Sequence, residues 1–485
     1  MKKARPIMIQ GTMSNVGKSM LCAALCRIFR QDGYTVAPFK SQNMALNSYI
    51  TSEGLEMGRA QVVQAQAAGI EPSVLMNPIL LKPTTDVGSQ VIVNGEVRGN
   101  MSASKYFRMK KSLVPDIMHA YETLASRNDI IVIEGAGSPA EINLKSDDIV
   151  NMGMAKMASS PVLLAGDIDR GGVFAQLYGT VSLLDQDERR MVKATVINKF
   201  RGDVSILAPG LDMLENHVKI PCAGVVPYMH LDIDDEDSLS ERLNPGSRKE
   251  IDIVVISLPR ISNFTDFSPL SLFNGVSLRY VRNLAELGEP DLIIIPGTKS
   301  TISDLKWMRQ NGLESAILRK VSSGTPVIGI CGGLQMLGRR ISDPHGSEGG
   351  GSISGMGLLD INTVFSDEKT RTQTEGVISG LDGVYSVLNG HRFCGYEIHM
   401  GQSGNSRVFY QKRNVLGSYI HGIFDEDGIA QSLIKALYEK RGLQFDENQS
   451  FDLHSYRESQ YNILADTVRS SLDMDLVYRI LEEGL

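Results

Sequence analysis

Short apolar runs separated by longer stretches of mixed polarity recur along this chain. In the first half the runs are Pro6-Ile7-Met8-Ile9, Ile130-Ile131-Val132-Ile133, Pro161-Val162-Leu163-Leu164 and Ala194-Thr195-Val196-Ile197. Each is short and bounded by Gly or charged residues, which predicts strands buried on both faces. Helical spacing fills the intervals, and strands alternating with helices predict a doubly wound parallel sheet. A second alternation begins at Ile251-Asp252-Ile253-Val254-Val255 and runs through Leu292-Ile293-Ile294-Ile295, Val327-Ile328-Gly329-Ile330 and the more mixed Val415-Leu416-Gly417-Ser418-Tyr419. Between the two patterns, LDIDDEDSLSERLNPGSRKE (231–250) is acidic, then Pro- and Gly-bearing, with no apolar periodicity, and reads as a solvated linker. From about 425 onward the pattern is mostly amphipathic helix. The fold class expected is therefore α/β with two domains. An N-terminal parallel-sheet domain occupies 1–230 and a second α/β domain 251–450, with a helical segment at 451–485. A chain of 485 residues is also too long for a single core.

Composition narrows the class. At 42% hydrophobic and 22% charged the chain is ordinary for a soluble globular protein, and its net charge of -7 argues against nucleic acid as the main ligand. No apolar run has the length of a membrane helix, and the N-terminus MKKARPIMIQGTM has no long apolar core, so neither membrane nor signal peptide is expected. Of the five cysteines, Cys22 and Cys26 read as packing inside a helix rather than holding a metal, and a reducing cytoplasm fits this usage.

Two turns carry candidate chemistry. Residues 10–19, QGTMSNVGKS, follow the first strand and open a helix at Met20-Leu21-Cys22-Ala23-Ala24-Leu25, the context a P-loop requires. Thr12 stands where the first loop glycine usually stands, and Gly11 is one residue early. Backbone N–H groups of Asn15, Val16, Gly17 and Lys18 can converge on phosphate oxygens, with Lys18 adding charge and Ser19 a Mg²⁺ ligand. Glu134, at the end of an apolar strand, is the carboxylate best placed to share that Mg²⁺; Asp148, Asp167 and Asp169 are others near strand ends.

The second turn lies in GICGGLQMLG (329–338), where Cys331 falls between a strand and a helix face formed by Leu334, Met336, Leu337 and Ile341. A nucleophile elbow places its side chain at such a turn. His421, after a late strand, is the candidate base, with His391 and His399 as rivals. The N–H of Gly332 can serve an oxyanion hole, with a second donor from Gly297 or Thr298 in Pro296-Gly297-Thr298.

The Cys331 segment, the PGT segment and the late histidine resemble class I, triad-type glutamine amidotransferases, which form a glutamyl thioester and release ammonia. Ile423 stands where many members carry Glu, as in the corrinoid branch; this leaves the third triad member open, with Asp425 merely near in sequence. The front half resembles dethiobiotin synthetase-like ATPases, which use such a loop to activate carboxylates. The stretches FKSQNMALNS (39–48), MNPILLKPTTD (76–86), VIEGAGSPAEINL (132–144), DIVNMGMA (148–155), GDIDRGGVFAQLYGT (166–180) and INKFRGDVSIL (197–207) narrow the match. With the C-terminal half they resemble the cobyric acid synthase family over nearly the whole chain.

That resemblance implies ATP and Mg²⁺, L-glutamine as amido donor, and amidation of the b, d, e and g carboxylates of adenosylcobyrinic acid a,c-diamide. It also implies a role for Asp148 at the ATP or acyl-phosphate step. Lys40, Gln42, Asn43, Lys82 and Arg170 offer donors to such a polyanion from loops near predicted strand ends, with Lys40 and Asn43 foremost. The neighbouring possibilities are the sister enzyme that amidates the a and c carboxylates and a partition-type P-loop switch ATPase. The latter carries an extra early lysine where this chain has Thr12 and Met13.

Overall fold

The computed structural model describes residues 4–485 apart from 86–87, 235–247, 349, 405–406 and 447–451, so most of the expected linker at 231–250 lies outside the described residues. The chain forms two compact units, one of Met1–Met44, Met57–Ile233 and Arg457–Leu485, the other of Ala45–Glu56 and Asp234–Tyr456. This division departs from the expected boundaries in two places. Residues 45–56 fold with the second unit, and the last helices return to the first.

In the first unit the four apolar runs form the strands Arg5–Gly11, Ile130–Glu134, Val162–Asp167 and Val192–Phe200. Val36–Phe39 and Cys222–Pro227 complete a six-stranded sheet in which every pairing is parallel. Its order runs Cys222–Pro227, Val192–Phe200, Val162–Asp167, Arg5–Gly11, Ile130–Glu134, Val36–Phe39. The order reverses beside the first strand, and such a switch point opens a crevice at the carboxyl ends of the strands. Glycine, Glu134 and Asp167 stand at those ends. A smaller four-stranded sheet holds Gln42–Met44, Ile79–Thr85, Gly88–Val93 and Glu96–Ser102.

The helix Lys18–Gln31, which starts at the loop, buries Cys22 and Cys26 as expected. Its core cluster takes in Tyr461, Leu464, Ala465 and Val468 of the helix Leu453–Ser471 and Val477, Ile480 and Leu481 of Met474–Glu483. Arg27 bonds Glu458 (2.8 Å) and Asn462 (2.8 and 3.0 Å), and Arg469 pairs with Asp32 at 2.9 Å. The last helices are thus an outer layer over the loop's own helix.

In the second unit the sheet order is Val276–Val281, Ile251–Ile256, Leu292–Ile295, Val327–Ile330, Val415–Ser418, Phe409–Lys412, parallel except for the last strand. Beside it lies a second sheet dominated by the long antiparallel pair Asn362–Val377 and Arg392–Ser403, ending on Ile420–His421. The helix after Cys331 is shorter than its apolar face suggested. It spans Gly332–Leu337, and Ile341 belongs to the strand Arg340–Asp343. Gly338 ends it against Ile361, whose carbonyl oxygen would lie 2.8 Å from any Cβ there.

Leu464 is fully buried over the loop helix. Leu464→Ala is expected to lower unfolding stability by about 2–5 kcal/mol, read as a shifted midpoint in urea. A change within error would mean the last helices are not integral to that core.

Candidate functional site

The loop between Arg5–Gly11 and Lys18–Gln31 is held from several sides. Gly17 takes a left-handed conformation (φ 93°), and a Cβ there would lie 2.2 Å from Asn198 Nδ2, so only glycine fits. Asn198 Nδ2 donates to Val16 O at 2.7 Å, and Thr12 Oγ1 donates to Gln176 Oε1 at 3.0 Å. Asn15 also has positive φ (62°), and its carbonyl accepts from Lys199, whose ammonium pairs with Asp167 at 3.0 Å. Lys18 arches back over the loop, donating to Met13 O (3.0 Å) and Gly137 O (3.1 Å).

Glu134 is the centre of this unit's site. Its buried carboxylate accepts from Ser19 Oγ (2.8 Å) and Lys40 Nζ (2.9 Å) on one oxygen, and from Gln61 (3.2 Å) and Gln64 (2.6 Å) on the other. Burial alone would raise its pKa. The Lys40 charge and the hydrogen bonds from Lys40, Gln64 and Ser19 outweigh it and hold the group below the usual carboxylate range. Asn43 joins by donating to Gln61 Oε1 at 3.1 Å.

Asp148 holds a turn. Its oxygens accept the backbone N–H groups of Val150 (2.8 Å), Asn151 (2.9 Å) and Gly153 (2.9 Å), which fixes the turn into the helix Met152–Ala158. Asn151, fixed by that turn, clamps Ala136 through bonds of 2.6 and 3.1 Å just beyond Glu134. Of the remaining donors, Gln42 accepts from Tyr106, Lys82 is buried in its strand, and Arg170 is exposed.

The sequence reading missed Gln61 and Gln64. The readable signal was two amides spaced i, i+3 on the helix Arg59–Ala68, where nearly every position is buried.

The second unit's site is built on a strained turn. Cys331 has φ 52° and ψ -106° between the strand Val327–Ile330 and the helix Gly332–Leu337. A non-glycine residue at positive φ stores strain, and here it lifts the sulfur clear of both elements. Gly333 permits the turn, since a Cβ there would lie 1.9 Å from Ile295 O. Sγ donates to Ile398 O at 3.6 Å. His421 hydrogen-bonds the Cys331 side chain, and its Nδ1 bonds Asp266 Oδ2 at 2.6 Å. Burial would lower the imidazole pKa. The Asp266 charge and hydrogen bond, with the Cys331 interaction, overcome burial and raise it to about 10.

The rival histidines have other partners. His399 bonds Glu397 (3.1 Å) and Gly401 O (2.8 Å), and His391 faces Ser432 at 3.0 Å. The partner of His421 is Asp266, 155 positions away in sequence, and not the nearby Asp425. No local spacing could have found it.

Gly332 packs on the PGT segment, since a Cβ there would lie 3.1 Å from Thr298 N. Thr298 pairs with Ile261 in an antiparallel ladder, next to the bond from Lys299 N to Arg260 O (3.0 Å). Hydrogen-bonded and open positions alternate in such a ladder, which turns the Thr298 N–H outward. Gly297 leaves room for the imidazole, whose Cε1 is 3.1 Å from where its Cβ would stand.

Both units match family models. Residues 252–429 match the CobB/CobQ-like glutamine amidotransferase domain, and residues 7–239 match the CobQ/CobB/MinD/ParA nucleotide binding domain. The chain is 60% identical over 512 residues to a cobyric acid synthase of Lachnoclostridium phytofermentans, covering 99% of this chain and 100% of that protein. It is 59% identical to one from Ruminiclostridium cellulolyticum, covering 99% and 98%, and 51% identical to one from Alkaliphilus metalliredigens, covering 98% and 99%.

A raised His421 pKa means that the imidazolium persists through neutral pH. Its contribution is present below the ordinary histidine value and is lost as pH rises through about 10. The alkaline limb of glutamine hydrolysis should therefore lie near that value. Asp266→Asn, which removes the charge that raises the pKa, should move the limb to lower pH in a kcat/KM profile. An unmoved limb would remove Asp266 from this role.

Proposed function

Because the chain belongs to the cobyric acid synthase family, we propose that its two sites jointly amidate the b, d, e and g carboxylates of adenosylcobyrinic acid a,c-diamide, with ATP as activator and glutamine as nitrogen source. The observation that carries this reading is the strained Cys331 held against a His421–Asp266 pair, in a chain that also bears a P-loop.

At the first centre, the Cys331 thiolate attacks the side-chain carbonyl carbon of glutamine. The outward N–H of Thr298 and the N–H of Gly332 receive the developing oxyanion. His421, oriented by Asp266, gives its proton to the departing ammonia. Water then attacks the thioester carbon with His421 as base, releasing glutamate and restoring the thiol.

At the second centre, an oxygen of the substrate carboxylate attacks the γ-phosphorus of ATP, and ADP leaves. Ammonia attacks the acyl phosphate carbon, a proton is lost, and phosphate departs to leave the amide. The loop N–H groups and Lys18 orient the phosphates. Ser19 and Glu134, with oxygens 2.8 Å apart, are hard donors that suit Mg²⁺ and would hold it, the ion supplying charge neutralisation at the transferring phosphoryl group. Lys40, on the same carboxylate, adds positive charge beside it. The free thiols at Cys22, Cys26, Cys222, Cys331 and Cys394 fit a reducing cytoplasm, and no helix among the described residues is long and apolar enough to cross a membrane.

Cys331→Ser is expected to abolish glutamine-dependent amidation while sparing amidation from ammonium salts. Loss of both would sink the two-site scheme. Lys18→Ala is expected to remove amidation from either nitrogen source, so continued synthesis would mean that ATP is activated elsewhere.

A further inference from the structure

Ala45–Glu56 lies inside the span that matches the nucleotide-binding family, yet it folds with the amidotransferase unit. Its contacts there lead to the catalytic histidine. Tyr396 OH donates to Ser48 O at 3.0 Å and accepts from Asn263 Nδ2 at 3.1 Å, while Asn263 Oδ1 accepts from Ser48 N at 3.1 Å. These three residues form a closed ring of hydrogen bonds. The Tyr396 ring stacks on His421, with centroids 5.4 Å apart and planes 21° apart. Tyr49 packs its edge on the other partner of that stack, 5.2 Å from the Tyr396 centroid, and Ile50 clusters with Tyr396 and Ile398. Ile398 is the residue whose carbonyl receives the Cys331 thiol. Asn263 takes a left-handed conformation (φ 51°), and its carbonyl accepts from Asp266 N at 3.1 Å. The segment's far end is pinned by a buried ion pair of Glu56 with Lys369 at 2.5 Å, and Gln373 donates to Ile50 O.

The segment therefore touches the neighbours of all three members of the Cys331–His421–Asp266 set. Its flanks are equally particular. Lys40 and Asn43 precede it, Gln61 and Gln64 follow it, and these belong to the Glu134 cluster.

We propose that residues 45–56 are a positioning segment of the glutaminase, with Ser48 and Asn263 fixing the Tyr396 hydroxyl so that its ring sets the plane of His421. The inference rests on the reading of Cys331 and His421 as the glutaminase. The imidazole has a bond to Asp266 on one side and the sulfur on the other, and only its tilt is left for a stacked ring to set. A small tilt error lengthens the proton transfer between sulfur and nitrogen, which affects turnover and leaves glutamine binding alone.

The test uses the full chain. Tyr396→Phe keeps the ring and drops the hydroxyl anchor; Glu56→Gln loosens the segment at its far end. Both are expected to lower kcat for glutamine hydrolysis about tenfold, with KM for glutamine and amidation from ammonium salts unchanged. Wild-type kcat in Tyr396→Phe would overturn the proposal. So would a loss confined to Tyr396→Phe, since Tyr396 would then act from its own strand without the segment, and so would a parallel loss of ammonium-dependent amidation, which would signal general destabilisation. Cys331→Ala is run alongside. If it kept glutamine hydrolysis, the underlying glutaminase reading would fail instead.

Discussion

The structure turns on one buried carboxylate. Glu134 lies at the end of a central strand, and four side chains from three other parts of the chain converge on it: Ser19 of the loop helix, Lys40 after a neighbouring strand, and Gln61 and Gln64 of a third element. A charge taken out of water at such depth is tolerated only when its partners satisfy it. Removing Lys40 alone would strand it, a change that costs on the order of 3–5 kcal/mol. The electrostatic demand of Glu134 thereby fixes where the loop, the Lys40 turn and the Gln61–Gln64 helix stand.

The second unit meets a comparable constraint by strain rather than charge. A cysteine at φ 52° is unfavourable in isolation. The surrounding glycines make it possible, and the turn sets the sulfur beside an imidazole that Asp266 keeps protonated. The two units thus supply complementary chemistry, a nucleophile kept ready in one and a phosphate cradle in the other. The chain belongs to the cobyric acid synthase family and carries both an amidotransferase domain and a nucleotide binding domain.

Much of this was legible in the sequence, and the reasons are particular. The parallel strands were readable because a strand buried on both faces must be apolar at every position, as in Ile130-Ile131-Val132-Ile133. The P-loop and the Cys331 turn were readable because backbone geometry imposes glycine at fixed offsets. Asp266 was not, because its partner is chosen by the fold across 155 positions and Ile423 fills the place where a local acid was expected. The turn that Asp148 holds was not legible either, since a carboxylate that caps a turn and one that meets a phosphate look alike in sequence. The boundaries at 45–56 and 457–485 escaped because a segment's own pattern does not announce which core it covers.

The most direct measurement is a mass spectrum of adenosylcobyrinic acid a,c-diamide after incubation with the protein, Mg·ATP and glutamine labelled with ¹⁵N in its side-chain amide. The expected result is conversion of the b, d, e and g carboxylates to amides, each carrying the label. An unchanged a,c-diamide, or amides free of label, would contradict the assignment of substrate or of nitrogen source respectively.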